Sequence, residues 1–204
     1  MNKPLKKLCL ASGVALAFGA QADTFNVTAT VDNAITLTET TPFSIGSLFL
    51  TAETDNAATP ASMSINSNGD VTTTPASGGT APSSSLVSLG GATAGVITIT
   101  GAAPFTDVTV EATVDTDDHL THFSGSPNVP AIEWVSITAY DGNDPTGNSE
   151  TVLLSAAATG FDVTTDGSGN ADILVGGVLQ ASIDAANTYE DGSYTGTYNI
   201  DVSY

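Results

Sequence analysis

Apolar residues recur at every second position at both ends of this chain, and that spacing commits it to β structure. Near the start, Phe25, Val27, Ala29, Val31, Ile35 and Leu37 fall on one side, with Asn33 the only polar member of the series. Near the end, Tyr194, Tyr198, Ile200, Val202 and Tyr204 share a side with Gly196, opposite Thr195, Thr197, Asn199, Asp201 and Ser203. Successive strand residues point to opposite faces, so this pattern gives two half-buried strands. Between them Thr, Val, Ile, Ser and Gly dominate, and no apolar stripe at helical spacing outlasts about two turns.

Further strands are expected at Phe43–Phe49, Ala61–Asn66, Gly95–Thr100, Thr106–Val114, Trp134–Ala139, Val152–Leu154, Phe161–Thr164, Ala171–Val175 and Val178–Ile183. Turn sequences separate them: Asn68-Gly69-Asp70, Ser77-Gly78-Gly79, Asp141-Gly142-Asn143-Asp144-Pro145 and Asp166-Gly167-Ser168-Gly169. Thr72 to Ser85, rich in Ser, Thr, Pro and Gly, reads as a flexible loop. Many short strands with no helix between them predict an all-β, antiparallel sandwich in a single domain. No internal repeat is visible.

The charge pattern is lopsided. Lys3, Lys6 and Lys7 are the only basic residues, and all 22 Asp and Glu residues come later, from Asp23 onward. Residues 1–22 have the layout of a secretory signal peptide: a basic start, an apolar run from Leu8 to Ala20, and the small-x-small site Ala20-Gln21-Ala22. The apolar run is too short for a membrane span. A chain processed after Ala22 keeps every carboxylate and no fixed side-chain cation. It also loses Cys9, the only cysteine, so no disulfide braces the exported protein. Nucleic-acid binding is excluded for want of Lys or Arg to neutralise phosphates, and anionic membranes should repel this surface. The favoured use of the carboxylates is solvation; the sharper one is cation-dependent assembly, with Ca²⁺ as the low-ranking candidate cofactor.

No constellation predicts an enzyme. No Gly-x-Ser-x-Gly elbow is present, and no pair of carboxylates stands out for glycoside hydrolysis. Asp117, Asp118, His119 and His122 form the only His cluster, but in a strand His119 and His122 point to opposite faces. Asp141, Asn143, Asp144 and Glu150, like Asp166, Asn170 and Asp172, lack the spacing of a Ca²⁺ loop and read as Asx turns. Trp134, between Ile132 and Ile137, reads as core.

The C-terminal Gly192-Ser-Tyr194-Thr-Gly-Thr-Tyr198-Asn-Ile200-Asp-Val202-Ser-Tyr204 resembles the last strand of archaic chaperone-usher, spore-coat-U-like pilins. Gly169-Asn-Ala171-Asp-Ile173-Leu-Val175-Gly176-Gly177 looks like the strand and turn before it, and Phe43-Ser-Ile45-Gly46 is similar to an early Phe-Gly segment of that group. Leu89-Gly-Gly-Ala-Thr93-Ala-Gly-Val-Ile97-Thr-Ile99-Thr-Gly101, followed by Ala-Ala-Pro-Phe105, resembles the domain-of-unknown-function 4402 family of exported bacterial proteins. Many archaic pilins carry a disulfide, and this chain departs from them there.

The resemblance implies an immunoglobulin-like, pilin-like sandwich over residues 38–204. Residues 23–37 would be a donor strand, with Phe25, Val27, Ala29, Val31, Ile35 and Leu37 filling pockets in a second copy. The implied partners are identical subunits, a periplasmic chaperone and an outer-membrane usher. The implied route is export through the inner membrane and periplasm to a cell-surface fibre serving adhesion or biofilm formation. The alternative expectation is a stand-alone secreted lectin-like or cation-dependent adhesin domain.

Overall fold

The computed structural model describes residues 34–56, 58–79, 84–113, 119–143, 159–184 and 186–204, and residues 149–153 through their backbone. The signal segment and the donor residues Phe25, Val27, Ala29 and Val31 lie outside the described residues, as do Asp117, Asp118 and Asp144. Residues Asn33–Tyr204 form one compact unit. Among the described residues there is no helix: the chain is all-β, and every ladder is antiparallel.

The largest sheet is organised by one long strand. β12 (Ala171–Ala181) pairs along most of its length with β9 (Ile132–Asp141), which continues the sheet to β10 (Ser149–Leu153). Its other edge is shared. The first half pairs with β6 (Gly95–Thr100), which carries β1 (Thr36–Thr41); the second half pairs with β3 (Ser62–Ile65), which carries β4 (Val71–Thr74). β12 reads as two strands from sequence because Gly176-Gly177 interrupts its apolar run. The structure corrects this: the glycines stay in the strand, with a register shift at Val178/Leu179. They are needed because neighbouring backbone and Trp134 come too close for a side chain. A Cβ at Gly177 would stand 2.7 Å from the Ser136 carbonyl oxygen and 2.8 Å from Trp134 Cζ3.

Against this sheet lie three smaller ones. β7 (Asp107–Thr113) pairs with β11 (Phe161–Thr164) on one edge and β14 (Asn199–Ser203) on the other. β2 (Ser47–Thr51) pairs with β5 (Ser85–Gly90), and β8 (Thr121–His122) with β13 (Tyr194–Thr195). Buried side chains of β6, β7, β9, β11 and β12 form one continuous core, including Ile99, Val110, Ile137, Val163, Ile173 and Leu179. Alternation explains who enters it. In β6 the residues Gly95, Ile97 and Ile99 are buried, while Val96, Thr98 and Thr100 are only partly covered.

Several sequence expectations need correction. Regular pairing of β2 starts at Ser47, not Phe43, because Gly46 (φ 72°) bends the chain against Gly90 to Ala92; only Ser44 bridges there, to Thr93. Val71–Thr74 is a strand and not part of a loop, and Ser85 opens β5, a strand the periodicity did not reveal. The terminal strand is broken into β13 and β14 around Gly196-Thr197-Tyr198. Finally, β1 runs past Leu37 to Thr41, and all six of its residues are exposed, so half-burial does not extend along it. It is an edge strand, and its outer edge has no ladder partner among the described residues.

Candidate functional site: an open groove between two strand edges

β2 is paired only with β5 among the described residues, so one of its edges has no ladder partner there. The space between the β2 segment and the segment Tyr189–Tyr198, which leads into β14, is a groove of about 730 Å³. One wall is Phe43, Ile45, Leu48 and Leu50; the other is Tyr189, Tyr194 and Tyr198, spaced by Gly192 and Gly196. Leu120, Ile132 and Trp134 also line it, as do Phe49 and the acidic pair Glu190 and Asp191.

Each wall follows from local sequence. In Ser47-Leu-Phe-Leu-Thr51 the period of two turns Leu48 and Leu50 toward the core and leaves Ser47, Phe49 and Thr51 exposed. The two walls run antiparallel. The Phe43 ring meets Tyr198 edge-on, centroids 6.4 Å apart, while at the other end Leu50 and Tyr189 line one adjoining cavity.

Trp134 anchors the lining. It is 3% exposed, tilts against Phe43 with centroids 5.5 Å apart, and sits over Gly177. Its indole Nε1 is buried without a hydrogen-bond partner. The reading of Trp134 as core holds, and it places the residue at the base of the groove, too covered to stack on a sugar.

The tyrosine wall is tied to backbone. Tyr189 donates its hydroxyl proton to the Ala131 carbonyl (2.9 Å) and accepts from the Ser182 N–H (2.8 Å). Tyr194 donates to the Glu190 carbonyl (3.0 Å) and accepts from the Glu190 N–H (3.2 Å). Tyr198 lies 3.5 Å from Glu39 Oε1. Burial raises the pKa of all three phenols, Tyr198 to about 12 with help from the Glu39 charge. These phenols therefore stay uncharged at ordinary pH, beside Glu190 and Asp191 of the same wall. His122 buttresses it from β8. Its Nδ1 is 2.8 Å from Ser124 Oγ, its Nε2 is 3.3 Å from the Asp191 carbonyl, and its ring lies 5.1 Å from Tyr194. Both ring nitrogens are thus engaged by the protein. His119 Nδ1 is buried and unpartnered, and among the described residues no three His, Cys, Asp or Glu side chains gather as a metal site.

Of the residues singled out from sequence, Tyr194 and Tyr198 line the groove. Ile200 and Val202 are half-buried against the core, and Tyr204 is exposed with its hydroxyl accepting the Ala103 N–H at 2.9 Å. Ile35 also joins the body of the chain, packed on its core, and Leu37 pairs with Ile99 of the same chain. The two Asp turns behave as Asx turns: Asp141 Oδ1 accepts from the Asn143 N–H, and Asp166 Oδ1 from those of Ser168 and Asn170. Sequence reasoning missed Leu48, Leu50 and Tyr189. Leu48 lies within the expected strand Phe43–Phe49 and Leu50 just past its end, and the two share a period-two signal; Tyr189 carries none.

No Lys or Arg lines the groove. It offers a slot walled by aliphatic side chains and tyrosines, with Glu190 and Asp191 among its lining, beside β2, whose second edge has no ladder partner among the described residues. A free strand edge is the chemistry that accepts an added β-strand. No protein-family model, curated protein or solved structure matches this chain.

Proposed function

We propose that this protein is a pilin-like structural subunit of an extracellular fibre, an immunoglobulin-like sandwich completed by the N-terminal strand of another copy. The observation that carries the reading is the groove beside β2, walled across by Tyr189, Tyr194 and Tyr198, with one edge of β2 unladdered among the described residues. An inserted strand would pair with β2 and lay its apolar side chains in the groove.

Phe25, Val27, Ala29 and Val31 match the slot in chemistry and period. From Phe25 to Val31 is six steps of about 3.3 Å, roughly 20 Å. Each large apolar side chain would contribute about 1.5–3 kcal/mol on full burial, and the ladder bonds would fix the register. Ile35 and Leu37, held by the chain's own fold, leave the donor strand and become its root. Repetition of a groove-and-strand contact is head-to-tail and open, which gives a fibre. An exported subunit of this kind needs its groove covered before assembly, the role of a periplasmic chaperone and an outer-membrane usher. Adhesion or biofilm formation at the cell surface is the purpose that such a fibre serves.

The test uses the processed chain, the same chain lacking Asp23–Asn33, and a synthetic peptide of that segment. The processed chain should form fibres by electron microscopy. The shortened chain should form no fibres and should bind the peptide. Fibres from the shortened chain, or no peptide binding by folded protein, defeat the reading.

A further inference from the structure

One end of the body carries an exposed apolar loop held in a strained shape. Ala103-Pro104-Phe105 follows β6, and all three residues are exposed, Phe105 at 77%. Phe105 has φ 52°, in the left-handed region that an aromatic residue seldom enters. The loop is fixed by its backbone. The Phe105 N–H donates to the Asp166 carbonyl at 3.2 Å, and the Ala103 N–H to the Tyr204 hydroxyl at 2.9 Å. A bulky ring kept in water on a strained backbone marks a contact residue.

What meets it follows from where the chain enters the body. Residues 23–33 run directly into Ala34, and Ala34 lies against this loop. A Cβ at Gly101, where the loop leaves β6, would stand 2.5 Å from the Ala34 carbonyl oxygen. Thr36 then pairs with Thr100 as β1 begins. The groove residue Phe43 lies past the other end of β1, against Gly95. The root of residues 23–33 and the exposed loop therefore share one end of β1, and the chain's own groove starts beyond the other.

We propose that Ala103-Pro104-Phe105 is the body-to-body contact between successive copies, resting on the rim of the groove that the donor segment enters. This rests on the pilin-like reading and adds a surface that the donor strand does not supply. With Val31 seated in the next copy, the three steps back to Ala34 span at most about 11 Å. That tether holds the next copy against the loop. The loop itself carries no charge. The nearby Asp107 and Asp166 carboxylates are engaged, by Thr164 Oγ1 and by the Ser168 and Asn170 N–H groups.

Phe105→Gly separates contact from fold. Glycine adopts φ 52° freely, so the substituted chain should melt close to wild type. Freshly processed Phe105→Gly should bind a labelled Asp23–Asn33 peptide as wild type does, because the loop is not part of the groove lining. Its fibre growth, followed by light scattering, should slow about tenfold. Phe105→Tyr keeps the ring and should grow at nearly the wild-type rate. Phe105→Gly fibres that keep pace with wild type overturn the inference and leave the donor strand standing. Faster growth overturns it too, because the chain's own N-terminal segment then occupies the loop before assembly. Slower growth matched by weaker peptide binding also overturns it, since the effect then lies in the groove. A wild-type chain that forms no fibres removes the pilin-like reading, and this contact with it.

Discussion

Glu53 shows at the scale of one residue how backbone donors hold a buried carboxylate. The side chain is fully covered. Its Oε1 accepts from the Thr54 and Asp55 N–H groups at 2.9 and 3.1 Å, and its Oε2 from the Ser84 N–H at 2.8 Å. Ser84 in turn accepts the Ala61 N–H on its Oγ, so the residue ties the end of β2 to the starts of β3 and β5. These backbone donors, Ser84 first, hold the Glu53 pKa below its ordinary value of 4.5 against the opposing effect of burial. The folded state thus favours the charged form. Its contribution is present above the unfolded pKa and is lost as pH falls through the lower folded value. Glu53→Gln turns one acceptor into a donor facing an N–H. Its melting temperature should fall clearly at neutral pH, and the gap to wild type should narrow as pH falls through the lowered folded pKa. Thermal unfolding followed from neutral pH into acid checks this; a gap that does not change with pH excludes a charge-dependent role. Nothing in the local sequence Thr51-Ala-Glu-Thr marks Glu53 as buried, because its partners lie across the fold at Ser84 and in its own turn.

Elements were legible where alternation and a turn coincide. β6 and β11 have the bounds expected from sequence, since each alternates cleanly and has a glycine at or beside its start. β4 was hidden because Val-Thr-Thr-Thr has the composition of a loop, and it is a strand only because β3 offers it an edge. β12 was split in two because glycines usually punctuate, whereas here their missing side chains admit Trp134 and the Ser136 carbonyl. The groove was half legible for the same reason: its Tyr194 and Tyr198 stand in a periodic stretch, but the gap is a relation between β2 and the Tyr189–Tyr198 segment that no local pattern records. Gly177→Ala tests the link between β12 and the groove. The added methyl must displace the Trp134 ring or the β9 backbone, which costs about 1–3 kcal/mol. Folded Gly177→Ala should melt lower and bind the Asp23–Asn33 peptide more weakly than wild type. Lower stability with unchanged peptide affinity would mean that Trp134 moves without reshaping the slot.

Over the whole molecule, charge is one-sided. The groove walls carry aliphatic side chains and tyrosines whose phenols burial holds neutral, with Glu190 and Asp191 among the lining. In a chain processed after Ala22 the carboxylates oppose association, since no Lys or Arg on a second copy compensates them. Attraction is short-ranged and insensitive to salt, whereas repulsion extends about 10 Å at 0.1 M salt and about 3 Å at 1 M. Raising salt therefore removes the opposing force and leaves the favourable one. Assembly of the processed chain, followed by light scattering, should speed up with NaCl and level off once the repulsion is screened. Acid should act the same way as carboxylates protonate. Ca²⁺ and Mg²⁺ separate screening from bridging: at ionic strength matched to NaCl, equal rates mean screening alone, and a faster rate that a chelator reverses means carboxylates joined through the metal. A fall in rate with added salt would be the signature of attraction between opposite charges, and the sequence leaves no residues from which such attraction could come once Lys3, Lys6 and Lys7 are gone.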